Sequence, residues 1–252
     1  MKTALLAATV GIASAASAAT PTAQVKPTVV LVHGAFADGS TWNKVIPLLQ
    51  AKGLNVVSVQ NPLTSLEDDV AATRRTLDAQ SGPVVLVGHS WGGMVITQAG
   101  QHEKVKSLVY IAAFAPSAGE SVADLSKGYP TPSGLTHVVA DKEGFLTLTP
   151  EGIEQHLAQH VASDQTRLMI ATQTPIRGSS FEQKASTAAW TTRPSWYLLS
   201  EQDRMIQPEL QAAMAKKMAA QVTRLPADHV PHLSEPEAVA GIILKAVEQT
   251  PR

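Results

Sequence analysis

Ser90 stands at the centre of Gly88-His89-Ser90-Trp91-Gly92, with Gly93 following. This pattern, G-x-S-x-G, is entered from the apolar run VVLV and left through a helical stretch, which places a serine on a sharp strand-to-helix turn. Such a turn needs small residues two before and two after the serine, because side chains there would collide with neighbouring backbone. A serine hydroxyl is a weak nucleophile, so its use demands a base and an acid that orients the base. On a strand–turn–helix nucleophile the acid and then the histidine follow in the chain. Asp203 and Glu201 both lie in Leu199-Ser-Glu-Gln-Asp-Arg. Asp203 is favoured because it stands three residues past the strand, with room to reach across; Glu201 is the alternative. For the base, His229 and His232 compete in Ala227-Asp-His-Val-Pro-His-Leu-Ser-Glu-Pro. His229 is favoured because it follows the last strand directly, whereas His232 sits nearer the next helix and is expected to pack or hydrogen-bond locally. Asp228, adjacent in sequence, is a poor orienter because neighbouring side chains diverge. Negative charge developing on an attacked carbonyl would meet the N–H of Trp91 at the helix start and that of Ala35 in His33-Gly34-Ala35-Phe36.

The elements that must position these residues can be read from hydrophobic patterning. Thr28–His33, Asn55–Gln60, Pro83–Gly88 and Val105–Ala113 read as strands. Between them Thr41–Lys52, closed by Gly53, Ser65–Gln80, with Ser65 as N-cap, and Trp91–His102 read as helices. Strands that are apolar throughout and separated by helices mean a parallel sheet covered on both faces. The rhythm stops at 117–189, which is punctuated by Pro, Gly and Ser and holds helical fragments such as Glu151–His160 and Asp164–Thr172. It resumes with Ser195–Ser200, Pro208–Ala220, Val222–Leu225 and Glu235–Glu248 as strand, helix, strand and helix. The expectation is an α/β core over 20–116 and 190–252, with a mostly parallel central sheet, interrupted by a small helical cap at 117–189. Phe36, Trp42, Trp91, Phe114, Leu146 and Trp190 are candidate pocket walls that would serve equally well as core.

Composition narrows the field. A chain of 252 residues, 44% hydrophobic and 16% charged, suits one domain. At that size roughly three-quarters of the unfolded surface is buried, so no metal or disulfide staple is needed. Net charge is −1 with no basic stripe, which makes nucleic acid and anionic membrane poor partners. Cysteine is absent, which excludes a disulfide framework, thiolate catalysis and thiolate metal sites. His33 precedes the serine and is read as a loop hydrogen-bonder. His89, His102, His137, His156 and His160 show no metal-ligand spacing. His156 and His160 stand at i, i+4 but enclose Leu-Ala-Gln, without the Glu of a zinc helix, and read as a polar face. No cofactor is called for.

The N-terminus reads as a leader. Lys2 precedes an uncharged small-apolar run from Thr3 to Ala19, ending in Ala16-Ser17-Ala18, a cleavage signal of A-x-A type. A signal peptide over 1–19, cut after Ala18 or Ala19, implies a periplasmic or secreted protein. No other run reaches spanning length, so no membrane anchor would remain after its removal.

Together VLVHGAFADGSTW, GHSWGG, LLSEQDRMI and ADHVPHLSEPEAV resemble the α/β-hydrolase superfamily. They are most similar to its compact esterase/hydroxynitrile lyase group, which includes plant methyl-salicylate esterases. The resemblance runs from Thr28 to about Val247 and thins across the cap. It implies a Ser90–Asp203–His229 triad, the histidine sitting in a similar Asp-His ahead of Leu-x-Glu-Pro, and a cap that shapes the substrate pocket. The group's lyases carry threonine where Gly34 stands and lysine where Val230 stands; this chain has neither, which favours hydrolysis. The expected activity is cleavage of a small carboxylic ester through an acyl-enzyme, with no metal. Amide, lactone or C–C hydrolysis, perhydrolase or haloperoxidase chemistry, cyanohydrin cleavage, and non-catalytic ligand binding are the rival readings.

Overall fold

The computed structural model describes residues 26–250; the expected leader at 1–19 lies outside the described residues. Six strands alternate with helices through the core. Strands β1 (Thr28–Val32), β2 (Val56–Val59), β3 (Val84–His89) and β4 (Val105–Ile111) come before the cap. The cap holds β5 (Val138–Ala140), β6 (Phe145–Leu148) and β7 (Ile176–Arg177). Then β8 (Ser195–Ser200) and β9 (Gln221–Leu225) complete the central sheet. With β9 included that sheet has six strands in the order β2–β1–β3–β4–β8–β9, every pair parallel. Parallel neighbours cannot be joined by a hairpin, so helices return the chain across the sheet.

Alternate residues of the strands face opposite layers. Val30, Val32, Leu86, Leu108, Tyr110 and Leu199 pack toward α2 (Leu66–Asp78), α3 (Trp91–Ala99) and helix Pro208–Lys217. Val29, Leu31, Val85, Val87, Val109 and Leu198 pack toward α1 (Val45–Gln50) and helix Pro236–Gln249. Ser65 caps α2, its hydroxyl accepting the Asp68 N–H at 3.0 Å. Where one helix was expected over 41–52, a 3₁₀ turn at Gly39–Trp42 precedes a shorter α1. Pro47 has no N–H to give and is tolerated only in a first turn, which is where α1 places it.

The cap is not helical alone. Besides helices Val122–Ser126 and Ser163–Thr172, it contains β5–β6–β7 as a small antiparallel sheet. Strands of two to four residues are too short to show alternation in sequence. The legible sign was the turn between the first two: the Asp141 carboxylate accepts the N–H groups of Glu143 and Phe145 at 2.9 and 2.8 Å. Among the described residues no helix is long and apolar enough to cross a membrane.

Because all six strands run the same way, their C-terminal ends share one edge, and the residues leaving β1, β3, β8 and β9 there are Ala35, Ser90, Asp203 and His229. Leu86, fully buried at the middle of β3, holds that edge to the α2–α3 layer. Leu86→Ala is expected to cost about 2–5 kcal/mol of unfolding free energy in a urea titration, with an unchanged m-value.

Candidate active site

The corner at Ser90 is built from backbone constraints. Ser90 has φ 51 and ψ −119, a region that side chains disfavour. Its own peptide groups hold it there. The Ser90 N–H donates to the Ile111 carbonyl at 3.2 Å, and its carbonyl accepts the N–H groups of Gly93 at 3.0 Å and Phe114 at 3.1 Å. A Cβ at Gly88 would come within 2.6 Å of the Gly92 carbonyl oxygen, and one at Gly92 within 2.5 Å of that of Val32. The corner therefore closes only with glycine at both positions.

The structure brings the three separated side chains together. The Ser90 hydroxyl lies 2.8 Å from His229 Nε2, and His229 Nδ1 lies 2.7 Å from Asp203 Oδ2. All three are buried, with Ser90 exposed by 7% at the floor of a cavity. Four donors converge on the Asp203 carboxylate: the N–H groups of Met205 and Ile206 on Oδ1, and Gln211 Nε2 with the His229 ring on Oδ2. Glu201, the alternative acid, is exposed and faces Arg224 at 3.7 Å. Asp228 turns away from the ring, accepting from the His160 N–H, the Val230 N–H and the Ser234 hydroxyl.

Histidines support His229 from below. His89 Nε2 donates to the His229 carbonyl at 2.8 Å. Its ring centroid is 4.9 Å from that of His229 and 4.4 Å from that of His232. Burial holds the His89 imidazole well below the usual range, and the neighbouring imidazoles act in the same sense. His232 hydrogen-bonds Thr41 at 2.7 Å, and burial pushes it down to about 3. His33 is a loop tie: its Nδ1 donates to the Gly34 carbonyl and its Nε2 accepts the Asn61 N–H, both at 2.9 Å. His137 and His156 stack at 4.5 Å in the cap, and among the described residues no three His, Asp or Glu side chains converge as metal ligands.

A cavity of about 400 Å³ opens over Ser90 and His229 between cap and sheet edge. Phe36, Phe114 and Leu146 line it; Trp42 and Trp190 do not, nor does Trp91. Trp42 lies fully buried on the opposite side of the sheet, because the 3₁₀ turn carrying it leads into α1, which covers that face. Trp190 gives its indole N–H to the Pro116 carbonyl at 2.7 Å, fastening the two ends of the cap. The walls not foreseen include Val122, Tyr129, Leu157, Phe181, Met205 and Leu210. They come mostly from the cap, whose path sequence patterning does not reveal. Gln211 was also missed; the structure buries it fully on its helix, with Leu210 and Met214.

Comparison with known proteins bears on the fold and the family. The model of the Alpha/beta hydrolase family matches residues 29–242. A probable hydrolase of a Phoma species is 28% identical over 86% of this chain and 97% of its own length. Methylesterase 17 of Arabidopsis thaliana is 26% identical, covering 87% of this chain and 91% of its own. The crystal structure of a pyrethroid hydrolase from Sphingobium faniae shares the fold. Its TM-score is 0.77 at 22% identity, over 88% of this chain and 98% of that one.

Gln211 also accepts the Ser200 N–H at 3.1 Å. Gln211→Leu would leave that N–H and an Asp203 lone pair without a partner. It is expected to lower stability by about 1–3 kcal/mol, read from thermal unfolding.

Proposed function

The chain belongs to the alpha/beta hydrolase family, and we propose that within it this protein cleaves a small, uncharged carboxylic ester with Ser90 as nucleophile. The observation that carries the reading is the unbroken line from Ser90 Oγ through the His229 ring to Asp203, at 2.8 and 2.7 Å, opening onto a cavity. His229 Nε2 takes the hydroxyl proton as Ser90 Oγ adds to the ester carbonyl, and Asp203 holds the resulting imidazolium. The N–H groups of Ala35 and Trp91, neither of which donates to a protein acceptor among the described residues, receive the oxyanion. Collapse breaks the bond to the alcohol oxygen, which leaves with the proton from His229. Water then adds to the acyl-enzyme by the same route, frees the acid and restores Ser90.

The cavity wall supports an uncharged substrate. Apart from His229 it contains no ionisable side chain except the Tyr129 phenol, and its polar groups besides Ser90 and His229 are Ser126, Tyr129, Thr131 and Gln207, set in a predominantly apolar lining. A carboxylate or ammonium on either half of the ester would be desolvated there without a partner. The names of the methylesterase and pyrethroid hydrolase relatives point the same way. Hydrolysis is favoured over cyanohydrin cleavage by Gly34: a Cβ there would lie 2.8 Å from Ser90 Cβ and 3.0 Å from His89 Nδ1, leaving no room for threonine. Val230, where a lysine would serve a cyanide leaving group, is buried and apolar. The leader-like N-terminus supports export; protein recovered outside the cytoplasm should then begin at Ala19 or Thr20.

Two experiments test this. A fluorophosphonate probe should label the peptide containing Ser90, and Ser90→Ala should lose both labelling and about four to six orders of magnitude of p-nitrophenyl ester turnover. Turnover unchanged in Ser90→Ala would remove Ser90 as nucleophile. In the same assay Gly34→Thr should lower kcat/KM about 10- to 100-fold, because the added Cβ would push Ser90 or the Ala35 N–H out of place. Mandelonitrile cleavage that rises in this variant while ester turnover holds would count against the reading.

A further inference from the structure

Asp69 is a carboxylate where the pattern of α2 calls for an apolar residue. It lies on the inner face with Leu66, Val70 and Thr73 and is fully buried. Its partners are both uncharged: the Leu63 N–H at 2.8 Å from Oδ1 and the Trp91 indole N–H at 2.7 Å from Oδ2. Burial outweighs these two donors and pushes its carboxyl up to about 6, with the Asp68 charge adding in the same sense. A raised carboxyl pKa means that the ionised form weakens the fold. That cost is absent below the unfolded value, grows as pH rises toward about 6, and is complete above it. Stability of α2 therefore gives no reason for an acid at this position.

The two donors supply a reason. Trp91 directly follows Ser90, and its peptide N–H stands at the start of α3. The Trp91 ring also meets Phe181 of the cap edge-on, centroids 5.4 Å apart and nearly perpendicular, and Phe181 lines the substrate cavity. The indole is thus held by a carboxylate through its N–H and by a near-perpendicular cap ring. Leu63, the second donor, sits at φ 57 in the loop after β2, and its carbonyl accepts the Arg177 N–H of β7 at 2.9 Å. One carboxylate therefore joins the nucleophile corner to the segment on which the cap sheet is hung.

We propose that Asp69 is a positioning residue, which fixes the Trp91 peptide N–H against the reacting centre through the indole and ties that setting to the seating of the cap through Leu63. Its effect falls on the oxyanion and so on the transition state, leaving ground-state binding in the cavity nearly untouched. The inference rests on Ser90 as nucleophile, so Ser90→Ala is assayed alongside. If that variant keeps its activity, the nucleophile assignment fails; if it is dead and the results below are not seen, only the role of Asp69 fails.

The experiment is a double-mutant cycle on the full-length enzyme with a p-nitrophenyl ester, rates being normalised to sites titrated by a fluorophosphonate. Asp69→Asn and Trp91→Phe should each lower kcat about tenfold with KM changed less than about twofold. The double variant should be no slower than the slower single, because both break one link. An unchanged kcat in Asp69→Asn, a KM that rises while kcat holds, or losses that multiply in the double variant would overturn the proposal. Should Asp69→Asn yield no soluble protein, Trp91→Phe alone decides: kcat lowered at constant KM supports the link, and kcat unchanged overturns it.

Discussion

A serine held at φ 51 is the constraint on which the neighbouring architecture depends. Backbone in such a region costs about 1–3 kcal/mol and persists only where its surroundings over-determine it. Here three hydrogen bonds do so, tying Ser90 to the end of β4, to Phe114 beyond it and to the first turn of α3. Each contributes on the order of 0.5–1.5 kcal/mol net, enough together to offset the strain. The same corner requires β1, β3 and α3 to approach more closely than any side chain allows, which glycine at 88 and 92 permits. The hydroxyl on this mount stands 2.8 Å from His229 Nε2.

Charge is handled by depth. Behind His229 lie His89 and His232, buried imidazoles whose pKa values burial lowers, so His229 rests on rings that add no positive charge near it. In front of it the cavity wall carries neither acid nor ammonium. The charged group aligned with the ring is the Asp203 carboxylate, whose two oxygens are taken up by four donors. Asp69, a further buried carboxylate near the corner, is set aside from the Ser90–His229–Asp203 line and meets it through the Trp91 indole.

The cap and the core are less separable than their order in the chain suggests. Trp190 fastens the cap's exit to its entrance at Pro116, Arg177 hangs its sheet on Leu63, and Phe181 reaches the ring that follows Ser90. The cavity is accordingly a product of both parts, with its floor from strand ends and most of its wall from the cap.

The strand–helix rhythm and the glycine-flanked Ser90 were legible in sequence because each answers to a local rule, strand burial and a tight turn; the two residue types downstream were legible through the chain order of the family that the sequence resembles. The choice of Asp203 over Glu201 and of His229 over His232 rested on distance from a strand end, a quantity that chain position carries. What chain position does not carry is which face a side chain meets. Trp42 and Trp190 were equally suited to wall or core in sequence, and only packing sent one beneath the sheet and the other to the cap's seam. The cap's short strands, the Gln211 amide on Asp203 and the carboxylate of Asp69 on Trp91 join residues from 6 to 32 positions apart. Such contacts exist only once the chain has closed on itself, because they depend on tertiary distance and not on any periodicity along the backbone.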